Sequence, residues 1–562
     1  MSKQQTYQKY IFKLRSSRIL SAPRKSLKLS LEEARRNEEI ITLGDRQVIR
    51  FIDEINELDE PATTEKIKAI RREIKAIQKE PKSAENKRRI KVLYGELDQL
   101  QFKPDYVAVV MDKKSDFKKL NEGFKINGLS YRRLIGTPNG VKKSTIVYVS
   151  ELSPQGKEIY KEISRRLDND RDVSMKLIPA KFEAYKALAC SSSTPVSMPH
   201  GVLVVDDILT HFKETVVNLD DSETDEPVMT IEEQMLELDN SDGYGLICPR
   251  LAERWSEELK EHYVISGGCL RNAFCKGMVF TFDFHEFAEE FGCDKMVTDA
   301  WGNKHNIDDI ELILTTSMLK LWDSYKSIDD YLEKSTANHY TFAITKALPE
   351  KLENERNLNY QFIQGYDLTD EEIDELIAPT VNELKDVIGG DINKTILFLK
   401  GMGMNKDNIQ YIENDFAKAL MIDPRMINDS YVLNRLNYML KKRITEAKIG
   451  VLKIHGNYAT ISGDPFALCQ HIFKVDVSED NIGLLKAGEI YSEYWADLGV
   501  KEIVCFRAPM SCPNNIRKVT VADSPEIRKW YKYMHVVNVL NAHDSFCAAL
   551  NGADMDNFTL SM

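Results

Sequence analysis

The chain has 562 residues, of which 43% are hydrophobic and 29% are charged, and its net charge at neutral pH is −12. At roughly 100–200 residues per domain, this length predicts about three to five domains. The hydrophobic share supplies enough apolar material for a globular core. The acidic balance excludes a histone-like or uniformly basic nucleic-acid coat, although it leaves room for a local basic channel.

Cysteine usage and hydropathy indicate the compartment. The nine cysteines form no Cys-x-x-Cys pair and have no histidine spacing suited to zinc, so we expect reduced, mostly buried thiols. No window approaches the ~18–20 apolar residues of a membrane span. The sequence therefore predicts a cytoplasmic protein without a membrane partner.

Residues 1–101 are predicted to form a basic arm followed by a helical hairpin. The first thirty residues carry eight bases and no acid, and they lack the apolar stretch of a secretory signal. Within this arm, Tyr10 to Arg15 alternates like a strand, while a solvated or phosphate-facing arm is the general expectation. Charged helices over 66–79 and 86–100, separated by Pro81, predict a hairpin with a solvated face.

The rest of the chain alternates between β-rich and helical blocks. Residues 102–300 contain strand-like runs at 106–111, 144–149 and 201–205, and an acidic insert over 219–242. We expect this insert to be a surface loop with a short helix over Thr230–Leu238. Residues 301–445 predict a helical connector, and 446–562 predict a second β-rich block. The expected fold class is α+β.

Three motifs carry residues suited to phosphate chemistry. Asp554 and Asp556 lie in a glycine-bearing loop and can place two carboxylates around a hard cation, although such pairs are also common in turns. Arg507 follows a strand and precedes a proline turn, which suits recognition of a hydroxyl or phosphate, or else an ordinary ion pair. Lys276 lies on a glycine turn and can face a phosphate or simply solvent.

Taken together, these motifs resemble one family. The order of Phe506-Arg507-Ala508-Pro509 and Asn551-Gly552-Ala553-Asp554-Met555-Asp556 is similar to that in multisubunit RNA polymerase large subunits. The turn at Lys276-Gly277 resembles the lysine-bearing turn of the partner barrel. Having both in one chain resembles the single-chain two-barrel polymerases, which are the RNA-dependent RNA polymerases of eukaryotic RNA silencing and their phage and mobile-element relatives. The stretches 242–247, 462–465 and 488–491 fit the same group.

This resemblance implies a fold. Residues 102–300 and 446–562 would each form a double-psi β-barrel, joined by the helical connector and preceded by the helical hairpin. The second barrel would be incomplete, because the chain ends at Met562, shortly after the loop with Asp554 and Asp556.

The resemblance also implies roles for individual residues. Asp554 and Asp556 would hold a catalytic Mg²⁺, and Arg507 would contact the sugar hydroxyls of the incoming nucleotide or the primer terminus. Lys276 would face the nucleotide phosphates. Further contacts to the nucleic-acid backbone, with a solvated face as the alternative, are expected from Arg132, Lys142, Lys143 and Arg517.

One position departs from the family pattern. The family loop carries a third aspartate where this chain has Phe558, which cannot bind Mg²⁺. The implied function is a template-directed RNA polymerase that adds NTPs to an RNA 3′-hydroxyl on an RNA or single-stranded DNA template. The alternatives are a catalytically inactive, nucleic-acid-binding relative and a protein-interaction scaffold.

Overall fold

A computed structural model describes residues 7–136, 144–220, 228–400, 415–475, 482–550, 552–553 and 558–561. Most of its regular elements, numbered along the chain, belong to two seven-stranded sheets, a helical layer and a closed barrel.

A seven-stranded sheet forms the N-terminal part, with strand order β2-β5-β6-β7-β4-β1-β3. Its strands are β1 Lys9–Arg15, β2 Ser26–Leu27, β3 Ile40–Leu43, β4 Phe102–Val110, β5 Phe124–Ile126, β6 Leu129–Gly136 and β7 Thr145–Ser150. The helices of this region are α1 Ser16–Leu20, α2 Leu31–Arg36, α3 Gln47–Ile55, α4 Glu60–Lys79, α5 Ala84–Gln101, α6 Lys114–Leu120, α7 Ile159–Asp168 and α8 Pro179–Ala187. The predicted domain boundary at residue 101 falls inside this sheet, because β1–β3 precede it and β4–β7 follow it.

The strand expected from the alternation at Tyr10–Arg15 is present as β1, which pairs with β3 and β4. The expectation of a solvated basic arm is wrong for Lys9, because its ammonium is buried between Asp53 at 2.8 Å and Glu60 at 3.1 Å. The helical hairpin is present as α4 and α5, which pack through Ile67, Ile74, Leu93 and Leu97.

A second seven-stranded sheet follows, with strand order β8-β18-β13-β14-β12-β17-β9. The strands of this region are β8 Thr194–Pro195, β9 Val202–Val205, β10 Leu209–Asp220, β11 Val228–Asp239, β12 Tyr244–Ile247, β13 Gly267–Asn272, β14 Cys275–Thr281, β15 Met296–Thr298, β16 Lys304–Asn306, β17 Leu312–Thr315 and β18 Ala343–Ala347. Its helices are α9 Pro249–Leu259, α10 Phe284–Glu290 and α11 Ile328–Ala337. In the described pairing, β8 and β9 are the two ends of the sheet, so the first predicted barrel is seen as an open sheet.

The acidic insert is a β-hairpin, and the helix predicted over Thr230–Leu238 is wrong. Strands β10 and β11 pair antiparallel from Leu209↔Asp239 to Asp220↔Val228. Alternate residues of the two strands hydrogen-bond across the ribbon, and this pairing outweighs the helical propensity of the glutamate, glutamine and leucine residues of β11.

Helices dominate the next region. They are α12 Gln361–Gln364, α13 Asp370–Ile388, α14 Ile392–Lys400, α15 Asp415–Ile422 and α16 Ser430–Ala447. They pack through a cluster that includes Val387, Leu399, Leu420 and Leu436. A two-stranded sheet of β19 Glu355–Asn357 and β20 Lys453–His455 flanks them. The predicted connector from residue 301 thus becomes predominantly helical only after β18.

The last block is a closed barrel with strand order β21-β25-β22-β24-β23-β26. Its strands are β21 Asn457–Ser462, β22 Glu489–Tyr491, β23 Glu502–Phe506, β24 Ile516–Val521, β25 Val537–Leu540 and β26 Phe558–Ser561. Its helices are α17 Pro465–Phe473, α18 Glu493–Asp497, α19 Pro525–Trp530 and α20 Phe546–Ala549. The second barrel was expected to be incomplete, whereas β26 pairs with both β21 and β23 and closes the ring.

One hydrophobic core joins the second sheet to the closed barrel. Phe287 of the sheet region lies 5.0 Å from Phe466 and 5.5 Å from Trp530 of the barrel region, measured between ring centroids. All nine cysteines are free, and Cys512 is the exposed one. None of the helices in the described part of the chain is long and apolar enough to cross a membrane.

Candidate active site

Arg507 lies beside the chain segment that leads into the predicted metal loop. It directly follows β23, and its Nη1 donates hydrogen bonds to the carbonyl oxygens of Leu550 and Gly552, each at 3.4 Å. Both carbonyls belong to the segment that leads into Asp554 and Asp556. The guanidinium is therefore held beside the backbone that enters this loop.

The far side of the loop is anchored to the same barrel. Strand β26 begins at Phe558, which pairs with Thr460 of β21, and its Leu560 pairs with Phe506, the residue before Arg507. Both chain segments that flank the loop therefore lie next to Arg507. Asp554 and Asp556 themselves lie outside the described residues, as do Lys142 and Lys143.

Asn515 connects the Arg507 turn to the loop entrance, a role that the sequence analysis missed. Its side-chain oxygen accepts hydrogen bonds from the backbone N–H groups of Ser511 at 2.8 Å and Cys512 at 3.1 Å. Its amide donates to the Ala549 carbonyl at 2.7 Å. Arg517, chosen from the same stretch, donates to the Asn514 side chain at 2.7 Å. The signal that was available was an asparagine that follows a Pro-bearing turn.

The prediction that Lys276 lies on a glycine turn is wrong, because Lys276 and Gly277 lie within strand β14, which follows a turn at Ala273-Phe274. The lysine is half-buried, and its backbone N–H donates to the Met318 carbonyl at 3.1 Å. A Cβ added to Gly277 would lie 2.4 Å from the Gly243 carbonyl oxygen, so only glycine fits there. The start of β14, which carries Lys276, is thus packed directly on the 242–247 stretch.

The 242–247 and 462–465 stretches meet at the junction of the second sheet and the closed barrel. The Tyr244 hydroxyl donates to the Asp464 carbonyl oxygen at 3.1 Å, and the Tyr531 hydroxyl donates to the Asp464 carboxylate at 2.7 Å. Burial raises the pKa of Asp464. A Cβ on Gly463 would lie 2.2 Å from the Asn240 carbonyl oxygen. Lys276 and Arg507 belong to different sheets, and this junction joins those sheets.

Two acidic residues near this junction were missed by the sequence analysis. Asp207 accepts hydrogen bonds from Ser317 Oγ at 2.6 Å and Thr316 Oγ1 at 2.7 Å. The pKa of Asp239 is raised to about 6, first by burial and then by the charges of Asp207 and Asp242. The available signal was a pair of aspartates that directly follows the predicted strand at 201–205.

Arg132 is engaged locally on the N-terminal sheet. Its Nε lies 2.5 Å from the Glu151 carboxylate, and its guanidinium lies 5.5 Å from the centroid of the Tyr160 ring. As for the metal, the part of the chain that the structure describes contains no group of three or more His, Cys, Asp or Glu residues that could hold an ion.

Comparison with known proteins decides the family. The sequence profile described as RNA dependent RNA polymerase matches residues 81–556, a range that includes Lys276, Arg507, Asp554 and Asp556. The chain belongs to the RNA-dependent RNA polymerase family. The family resemblance inferred from the motif order is therefore confirmed.

Two individual proteins are similar to the chain. It is 28% identical over 329 residues to the DNA-directed RNA polymerase YonO of Bacillus phage SPbeta, a match that covers 57% of this chain and 36% of the phage protein. Its fold is similar to that of the RNA dependent RNA polymerase QDE-1 from Thielavia terrestris, with a TM-score of 0.51 and 15% identity. That likeness covers 81% of this chain and 48% of QDE-1. The chain spans about half or less of the length of these relatives, and the likeness to QDE-1 confirms the mixed α+β fold.

Proposed function

We propose that the chain carries the catalytic region of a template-directed RNA polymerase that adds NTPs to an RNA 3′-hydroxyl, with RNA as the preferred template. The observation that supports this most is the position of Arg507, whose guanidinium bonds the Leu550 and Gly552 carbonyls at the entrance to the loop with Asp554 and Asp556. In a member of the RNA-dependent RNA polymerase family, this arrangement links the arginine element to the acidic loop within one barrel.

The proposed roles follow from residue chemistry. Asp554 and Asp556 supply oxygen ligands of the kind that Mg²⁺ prefers. When bound, Mg²⁺ would neutralise phosphate charge in the transition state. Arg507 would orient a sugar hydroxyl beside the loop, and Lys276 would face the NTP phosphates from the second sheet.

Contacts to the nucleic-acid backbone are proposed for four further basic side chains. Such contacts position a strand without reading its sequence, and they weaken as salt rises. They are proposed for Arg132, Lys142, Lys143 and Arg517. For Arg132, backbone binding would have to replace or share the ion pair with Glu151.

Primer extension tests the polymerase proposal. The full chain is incubated with an RNA primer, Mg²⁺ and NTPs, on an RNA template and on a single-stranded DNA template of the same sequence. We expect extension mainly on RNA, loss of extension in the Asp554→Asn/Asp556→Asn double variant, and a decrease of about 100-fold in Arg507→Gln. Arg425→Gln changes an exposed arginine in the helical region and should leave the rate unchanged.

The second candidate function is nucleic-acid binding without catalysis. It is favoured by Phe558, which begins β26 opposite Thr460 at the position where the family loop has its third aspartate. If it is correct, the unmodified chain binds RNA but does not extend a primer, while Asn557→Gly/Phe558→Asp gains extension. If neither the chain nor this double variant extends a primer on either template, the polymerase proposal is wrong.

A further inference from the structure

The helical hairpin forms one wall of a large open groove, remote in sequence from the polymerase motifs. The groove encloses about 750 Å³ between α4, α5 and the N-terminal strands. Its basic lining residues are Arg35, Lys68, Arg71, Arg72 and Lys75. The hairpin was predicted to have only a solvated face, and nothing in its helical pattern indicated a cavity of this size.

The charge of the groove is opposite to that of the whole chain. Helices α4 and α5 carry ten Lys or Arg residues and six Asp or Glu residues, whereas the chain as a whole has a net charge of −12. Among the lining residues the acid is Asp98, and it already pairs with Arg35. Within the described part of the chain, Arg71 and Lys75 have no carboxylate partner within 4.0 Å. The groove therefore presents unneutralised positive charge.

Two tyrosines, two aliphatic residues and two glutamines, Gln78 and Gln101, complete the groove. Ile74 and Leu97 are buried beneath it, while Tyr94 is 49% exposed in its wall. Tyr10 lies under the Arg35 guanidinium, 5.2 Å from it. A basic groove that also offers aromatic faces is the combination that binds single-stranded nucleic acid, since the bases follow the phosphates and each base can stack.

The spacing of the lysine and arginine residues on α4 fits a short stretch of nucleic-acid backbone. Lys68, Arg71, Arg72 and Lys75 recur at three- and four-residue intervals, so they share one face of α4. At 1.5 Å per residue, Lys68 to Lys75 spans about 10 Å. This span is long enough for the four side chains to contact more than one phosphate of a single strand.

We propose that this groove is an accessory binding site for single-stranded nucleic acid, separate from the polymerase site. Lys68, Arg71, Arg72 and Lys75 would contact phosphates, and Tyr94 would stack on a base. An acidic protein segment would satisfy the charges but would not use the exposed Tyr94 ring. The proposal does not depend on nucleotide incorporation.

Binding of a fluorescent 20-nucleotide oligouridylate to the full chain, measured by anisotropy across a salt series, tests the proposal. Loss of two phosphate contacts in Arg71→Gln/Lys75→Gln should reduce the slope of log affinity against log salt by about 1.4. Tyr94→Ala should weaken binding by about fivefold or more and leave that slope unchanged. An oligothymidylate arm distinguishes RNA from DNA as the preferred strand.

Lys87→Gln/Arg88→Gln is the matched control, because it removes the same charge from exposed positions of α5 outside the groove. It should leave the slope unchanged. If the slope changed equally in the groove variant and the control variant, binding would depend on the overall positive charge of α4 and α5, and the proposal would be wrong. Displacement of the oligonucleotide by oligoglutamate together with unaltered binding by Tyr94→Ala would also overturn it, since that result would indicate an acidic protein as the partner. Primer extension by Lys87→Gln/Arg88→Gln should equal that of the unmodified chain. Because the binding measurement needs neither NTPs nor Mg²⁺, failure of this proposal is distinguishable from failure of the polymerase proposal.

Discussion

At the scale of single residues, Asp239 is a half-buried carboxyl near the junction between the second sheet and the barrel, and neighbouring negative charges disfavour its ionised form. Its pKa of about 6 results from burial, followed by the charges of Asp207 and Asp242. Because the pKa is higher in the folded than in the unfolded chain, ionisation of Asp239 costs stability. This cost is absent below about pH 4 and is complete above about pH 6, so the folded state loses stability as the pH rises through this window.

Replacing Asp239 with asparagine should therefore stabilise the protein only above that window. Asparagine keeps an oxygen that can accept the Ser241 N–H bond, now 2.9 Å long, and removes the charge. We expect the free energy of unfolding to rise by about 1–2 kcal/mol at pH 8 and to stay nearly constant at pH 4. Urea denaturation at the two pH values measures this. Glu233→Gln, an exposed change on the same strand, is the control, and an equal gain from Asp239→Asn at both pH values would contradict the argument.

Residues were found from the sequence where their chemistry is local, and missed where a role depends on distant partners. Arg507 could be selected because a strand, an arginine and a proline are adjacent in the chain. The bonds of Asn515 reach Ala549, thirty-four residues away, and Asp207 bonds Ser317 across 110 residues. No local pattern encodes such contacts. The Pro-bearing turn before Asn515 and the aspartate pair after the predicted strand at 201–205 mark candidate residues, but their bonding partners are seen only in the folded structure.

At the scale of elements, the same contrast separates the helices α4 and α5 from the strands β10 and β11. Helices α4 and α5 carry their own N-terminal caps, since the side chains of Asp59 and Ser83 accept hydrogen bonds from the N–H groups of Ala62 and Asn86 at 3.0 Å each. By contrast, β11 contains helix-forming residues and is a strand because it pairs with β10. Closure of the barrel was equally hidden, because β26 pairs with β21 about a hundred residues earlier.

The β10–β11 ribbon should be dispensable for the stability of the rest of the fold. Its outer part is exposed on both strands, with Val217 59% and Met229 62% accessible. Residues 214–234 can be replaced by Asn-Gly, because Lys213 and Met235 are register partners and a two-residue turn joins such a pair. We expect a change of less than about 1 kcal/mol in the free energy of unfolding, since few buried apolar contacts are lost.

Differential scanning calorimetry of the shortened chain and the full chain measures this. The base of the ribbon is retained in the design, because Thr210 and Asn240 are buried there. A matched control replaces the same residues with a flexible Gly-Ser segment of equal length, which removes the strand pairing without shortening the chain. If either variant lost several kcal/mol, the ribbon would have to pack against another part of the molecule.

At the scale of the whole molecule, the second sheet and the closed barrel share one core and one tight backbone crossing. Gly463 lies at this crossing, since a Cβ there would lie 2.2 Å from the Asn240 carbonyl oxygen and 2.6 Å from Tyr244 Cε1. Neither group can move freely, because the Tyr244 hydroxyl bonds the Asp464 backbone and the Asn240 N–H bonds the Ile208 carbonyl. A side chain at this glycine would therefore push the two sheets apart.

Gly463→Ala should destabilise the protein by about 1–3 kcal/mol, as overpacking of a close-packed site does. It should also lower primer extension, because Lys276 lies on the sheet side of the crossing and Arg507 on the barrel side. Gly95→Ala provides the control: a Cβ at this helical position meets nothing within 4 Å, and the change should stabilise α5 by about 0.5–1 kcal/mol. Gly463→Ala should therefore lower both the unfolding temperature and the rate of primer extension. Gly95→Ala should raise the unfolding temperature and leave the rate of primer extension unchanged. A Gly463→Ala protein that keeps full stability would show that the two sheets can separate without cost, and the junction would then not position the two halves of the proposed site.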